Sequence, residues 1–139
     1  MELVARKELL ELLIKEARRE KTEICGFLLG KTVGEKLIVE DLRFVSNRLQ
    51  SPHEFEMEPL EMVEALEEAE GRGLEIVGIF HSHLKCPPKP SPRDLEGMRL
   101  WPIVWVIVTP EGEARAWILK ENCAEQVKIT LLKTREEEG

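Results

Sequence analysis

The stretch LEIVGIFHSHLKCPPKPSPRD, Leu74 to Asp94, decides the reading of this chain. Its first seven residues, Leu74–Phe80, are apolar at nearly every position. A strand buried on both faces has that pattern, so the run is expected in the middle of a sheet. It delivers His81 and His83 at its C-terminal end. Residues i and i+2 of a strand point to the same face. The two imidazoles should therefore lie side by side, fit to share a metal or to hydrogen-bond at a strand end. A proline-rich loop follows. Ser91 and Pro92 then read as the cap and first position of a short helix ending near Trp101–Pro102, with Asp94 in its first turn.

Outward from this stretch the pattern is mixed. Arg6–Arg19 sets Leu9, Leu10, Leu13 and Ala17 on one stripe and predicts an amphipathic helix packed on a core. Ile24–Gly30 and Lys36–Val45 read as strands joined by a turn at Val33–Glu35. SNRLQSPHEF reads as a loop. Pro59 opens a second helix that Gly71 or Gly73 stops. IVWVIVT and ARAWIL form a hairpin around PEGE, and EQVKITLLK is a candidate last strand. The tail TREEEG is expected to fray. The fold class is α/β: one domain over residues 1–139, a mixed sheet flanked by two main helices and a short one after the histidine loop.

Composition narrows the function. The chain has 139 residues, 42% hydrophobic and 34% charged, with a formal net charge of −7. That acidity argues against nucleic-acid or anionic-membrane binding. No apolar run approaches the ~20 residues of a membrane helix. The N-terminus is too charged and too regularly periodic for a signal peptide, so a cytoplasmic protein is expected. Amides are scarce while Glu and Lys are plentiful, which leans toward heat adaptation. Cys25, Cys86 and Cys123 form neither a disulfide framework nor a CxxC pair. Cys25 reads as a small core residue, and His53 as a surface or loop-anchoring one.

If the helix opened by Ser91 aims its first turn at the strand end, Asp94 joins His81 and His83. Two imidazoles and a carboxylate leave a fourth tetrahedral position open, as catalytic zinc requires. The competing reading of Ser91 and Asp94 is a plain helix cap. A hydrolytic site also needs a base. Glu23 stands out among many glutamates only because it directly precedes a buried strand.

These residues together resemble the JAMM (MPN+) metalloprotease domain, also called the JAB family. The resemblance rests on TEICGFLLG with Glu23, on HSH at His81–His83, on SPRD with Ser91 and Asp94, and on the flanks GIFHSH and WVIVTP. It spans about Thr22 to Pro110. One position departs: Leu84 stands where the family usually has proline, and Pro87, Pro88 and Pro90 supply the loop's rigidity instead. The resemblance implies that His81, His83 and Asp94 hold one zinc ion, that Glu23 is the general base, and that Ser91 donates its hydroxyl to the developing oxyanion. It implies a desampylase- or deubiquitinase-like isopeptidase. Such an enzyme hydrolyses the bond between the C-terminal glycine of a small ubiquitin-like modifier, ending in Gly-Gly, and a target lysine. A peptidase trimming a ubiquitin-like sulfur carrier, and a non-catalytic MPN scaffold, are the other readings. The intact ligand set disfavours the scaffold. A homodimer is left open.

Overall fold

The computed structural model describes residues 1–133; the tail TREEEG lies outside the described residues. The described residues form seven strands and three helices in the order β1 (Glu2–Arg6), α1 (Lys7–Arg19), β2 (Cys25–Val33), β3 (Lys36–Val45), α2 (Pro59–Gly71), β4 (Glu75–Ser82), α3 (Pro92–Leu100), β5 (Val104–Val108), β6 (Ala114–Lys120) and β7 (Cys123–Leu132). This is the α/β class expected, with one addition. The sheet closes on itself in the order β1-β3-β2-β4-β5-β6-β7, because β1 pairs in parallel with both β3 and β7.

β4 lies between antiparallel β2 and parallel β5, as its two-sided apolar pattern requires. The β2–β3 hairpin turns through Gly34 at φ 62°, a left-handed backbone that glycine adopts without strain. The β6–β7 hairpin turns on Glu121 and Asn122, both with positive φ (50° and 66°), as a tight two-residue turn demands.

Closure divides the apolar side chains into two bodies. Every strand contributes to an inner cluster, where Leu3, Leu28, Val39, Phe80, Val106, Ala116 and Val127 meet Leu13 and Ala17 of α1. The amphipathic stripe of α1 is thus buried against the barrel's interior face. The outer cluster gathers Phe27, Leu29, Ile79 and Trp105 beneath Ala65 and Ala69 of α2 and Met98 of α3. Gly97 lets α3 come this close. A Cβ there would stand 2.6 Å from the Trp105 ring.

Local signals set the helix starts. The Glu58 side chain accepts a hydrogen bond from Glu61 N–H at 2.8 Å and caps α2, with Pro59 at the first position. Among the described residues no helix is long and apolar enough to cross a membrane.

Candidate metal centre

Alternation along β4 sends Ile79 and His81 outward and Phe80 and Ser82 inward. His83 follows directly and returns to the outer side. The Nε2 atoms of His81 and His83 stand 3.2 Å apart. α3 brings the third group. Ser91 Oγ accepts from Asp94 N–H at 3.0 Å, and Asp94 Oδ2 accepts from Ser91 N–H at 2.9 Å, which is a reciprocal capping box. The box fixes the carboxylate toward the strand end. Asp94 Oδ1 then lies 3.2 Å from His81 Nε2, and Oδ2 lies 3.0 Å from His83 Nε2. One ligand atom from each residue lies within 4.8 Å of the others, and all three residues are buried.

These spacings suit a small tetrahedral cation. Metal–ligand bonds of about 2.0–2.1 Å place tetrahedral ligand atoms roughly 3.3–3.4 Å apart. The tautomer suits it as well. His83 Nδ1–H donates to the Pro87 carbonyl at 2.8 Å, which leaves the Nε2 lone pair facing the group. The proline loop that supplies this carbonyl is itself pinned, since Trp117 Nε1–H donates to Pro88 O at 2.8 Å.

Burial pushes the His81 pKa down and keeps its imidazole neutral, as a ligand must be. Burial also opposes charge on Asp94, but the close approach of the His81 and His83 ring nitrogens outweighs it and holds the carboxyl well below its ordinary range. For His83 burial lowers the pKa, and the bonds to Asp94 and Pro87 raise it by more.

Glu23, two residues ahead of β2, lies close enough to feel the charges of His83 and Asp94. Ile24 and Ser82 are level: Ile24 N–H donates to Ser82 Oγ at 2.9 Å, and Ser82 N–H donates to Ile24 O at 3.1 Å. Continued one residue beyond this pair, the register brings Glu23 level with His83. Its side chain is buried, and burial raises its pKa to about 8, with the charge of His83 opposing. Asp94 is among the charges acting on it.

A cleft of about 410 Å³ opens beside Ser91 and Asp94, with Phe55, Met62, Trp101 and Trp105 in its walls. The remaining candidates are elsewhere. Cys25 is buried, its Sγ–H donates to Val45 O, and burial pushes its thiol up to about 12. Cys86 and Cys123 are exposed, and all three thiols are free. His53 is exposed on the rim of the cleft and is not part of the metal group.

Sequence reasoning passed over Asn47, Phe55, Ser82 and Trp105, all of which touch this site. For Ser82 a signal was present: the residue between two same-face histidines must point to the opposite face of the sheet. The others make contacts that no local spacing encodes.

Residues 6–120 match the family described as prokaryotic homologs of the JAB domain. The chain is 51% identical over 130 residues to a desampylase of Pyrococcus furiosus, a match covering 93% of this chain and 90% of that one. It is 39% identical over 75 residues to a probable TtuB-protein conjugate cleaving protease of Thermus thermophilus, covering 54% of this chain and 48% of that one. The solution structure of a protein from Desulfitobacterium hafniense superposes with a TM-score of 0.85 at 27% identity, covering 97% of this chain and 96% of that one.

Proposed function

The chain belongs to the prokaryotic JAB-domain family, and from that premise we propose that it is a zinc-dependent isopeptidase that releases a small ubiquitin-like modifier from target lysines. One observation carries the reading: His81, His83 and Asp94 converge at 3.0–3.2 Å, with buried Glu23 just ahead of the strand alongside. The similarity to a desampylase and to a conjugate-cleaving protease supports the substrate class.

His81, His83 and Asp94 would hold the ion. When bound, zinc polarises a carbonyl and acidifies water, which is the chemistry amide hydrolysis needs. Glu23 takes a proton from the attacking water and returns it to the departing lysine amine. A base performs both transfers best when its pKa lies near the working pH, and burial moves Glu23 in that direction, to about 8. Ser91 has work left for its hydroxyl. Its oxygen accepts from Asp94 N–H, while its O–H can still donate to the carbonyl oxygen as negative charge develops. The C-terminal Gly-Gly of the modifier suits a buried centre, since glycine lets backbone approach closely. The surface rich in Glu and Lys accords with a heat-adapted protein of the cytoplasm.

The test is cleavage of a lysine-linked modifier conjugate, with and without a chelator, alongside a thiol-alkylating reagent. We expect the chelator to abolish turnover, zinc to restore it and alkylation to leave most of it. Turnover that survives exhaustive chelation, or vanishes only on alkylation, would sink the zinc assignment. A linear fusion cleaved faster than the lysine-linked conjugate would favour trimming of a sulfur carrier.

A further inference from the structure

The two histidines are oriented by different means. His83 is fixed by the hydrogen bond from its Nδ1–H to Pro87 O. His81 is fully buried, and its Nδ1 has no hydrogen-bond partner among the described residues. A metal-bound imidazole ordinarily owes its orientation to a hydrogen bond from the second ring nitrogen. His81 is instead held between rings. Phe55 lies across its face with centroids 4.6 Å apart and planes at 30°. The edge of Trp105 meets it at 5.7 Å and 83°.

Trp105 belongs to the sheet, but Phe55 does not. It rides on the segment between β3 and α2, residues 46–57, which crosses the site with one isolated bridge, Asn47 to Met57. Asn47 organises that segment with a single side chain. Its Nδ2 donates to Glu54 O at 3.0 Å and to Glu23 O at 3.1 Å. Its Oδ1 accepts from Leu49 N–H at 3.1 Å and Glu56 N–H at 3.2 Å. Ser51 O also accepts from Glu23 N–H at 2.9 Å. The peptide groups on both sides of Glu23 are therefore bonded to the same segment that carries Phe55.

We infer that segment 46–57 is the positioning element of the metal centre: Phe55 orients His81 by stacking, and Asn47 ties that ring to the backbone of Glu23. The inference rests on the metal-site reading above. Neither residue touches the reacting atoms, so both are positioning residues. A ring stacked on a ligand narrows the angles the ligand can take, so its loss weakens metal binding even where the fold persists.

The experiment is zinc affinity by chelator competition and the visible spectrum of the cobalt-substituted protein, for wild type, Phe55→Leu, Phe55→Trp and Asn47→Asp. Melting of each metal-free protein is measured in parallel. Leucine keeps apolar bulk without a ring face. Phe55→Leu should weaken zinc by about tenfold or more and alter the cobalt bands, as losing an outer partner of a ligand does. Its metal-free melting temperature should stay near wild type. Phe55→Trp should recover most of the affinity. Asn47→Asp, which keeps the acceptor oxygen and loses the donors, should weaken zinc and broaden the cobalt bands. Wild-type affinity and spectrum in Phe55→Leu overturn the inference, and so does equal loss in the leucine and tryptophan variants. Wild-type behaviour in Asn47→Asp removes Asn47 from it. A wild-type protein that takes up no zinc overturns the functional reading and this one together, which distinguishes the two failures.

Discussion

Inside the barrel, Phe80, Val104, Val106 and Val108 meet α1 through apolar atoms. On the outer face, one residue away along the same strands, Ile79 leads to His81, and Trp105 leans on that histidine. Both faces are well buried, yet all the candidate chemistry is on one. The inner face packs on a single helix, through Leu13 and Ala17 of α1. The outer face packs on α2 and α3, and a cleft opens between them, with Met62 and Gly97 in its lining. A buried polar group costs free energy unless it is bonded. The outer face meets that cost with the capping box and the bond from His83 Nδ1–H to Pro87 O. Work is thus divided across one sheet thickness: the interior stabilises, the exterior reacts.

Substitutions can test this division, beginning with the largest effect on turnover. Glu23→Gln should reduce kcat by about 10²–10⁴-fold while zinc content stays at wild type, because an amide cannot take the water's proton. The same variant has a signature in stability. The folded-state value of Glu23, about 8, lies above its ordinary 4.5. A group raised in this way stabilises fully below pH 4.5 and loses that contribution as pH rises through 8. Metal-free Glu23→Gln should therefore melt like wild type near pH 4.5 and above it at alkaline pH, which paired thermal scans would check. Equal melting at both ends would mean that the carboxylate is better solvated than its burial indicates.

Ser91→Ala should come next. Losing the cap costs roughly 1 kcal/mol of stability. Losing the oxyanion donor should slow turnover by about 10²–10³-fold. Ser91→Asp restores a capping acceptor but offers a carboxylate where anionic charge develops. It should regain melting temperature and not kcat. Full activity in that variant would reduce Ser91 to a helix cap.

Leu13→Ala, on the inner side, should have the smallest effect on turnover and the largest on melting. Removing a buried leucine costs about 2–5 kcal/mol. Zinc affinity and kcat well below the melting range should stay at wild type. A Leu13→Ala protein that loses zinc while still folded would break the division between the faces.

What sequence made legible follows the same boundary between local and distant. The apolar run before His81, the capping signal at Ser91 and Pro92, and the two hairpins are local patterns, and each element stands within a few residues of its reading. β1 was not legible. Leu3, Val4 and Ala5 make only a short apolar run, and α1 begins directly after Arg6, which provides no side-chain cap. Without β1 the closed barrel could not be foreseen, because closure depends on parallel pairing between distant segments. Ile24–Gly30 was too short for β2, whose last three residues are exposed and continue the pairing with β3. At the site, the metal group follows from residue types at fixed spacing. Phe55 and Asn47 act across the fold from a stretch that reads only as polar loop.

The parallel pair of β1 and β7 sets an order on folding. Glu2 aligns with Lys128, so the seam joins a strand that precedes α1 to one that follows β6. Such a contact carries a loop-closure cost before it yields any stabilisation, and topologies that depend on it fold slowly. Glu23, His81, His83 and Asp94 all emerge before β6 and β7. Until those strands arrive, β1 and β5 each present an open edge on which another chain can pair. The seam therefore sets the interval during which a nascent chain is exposed to aggregation.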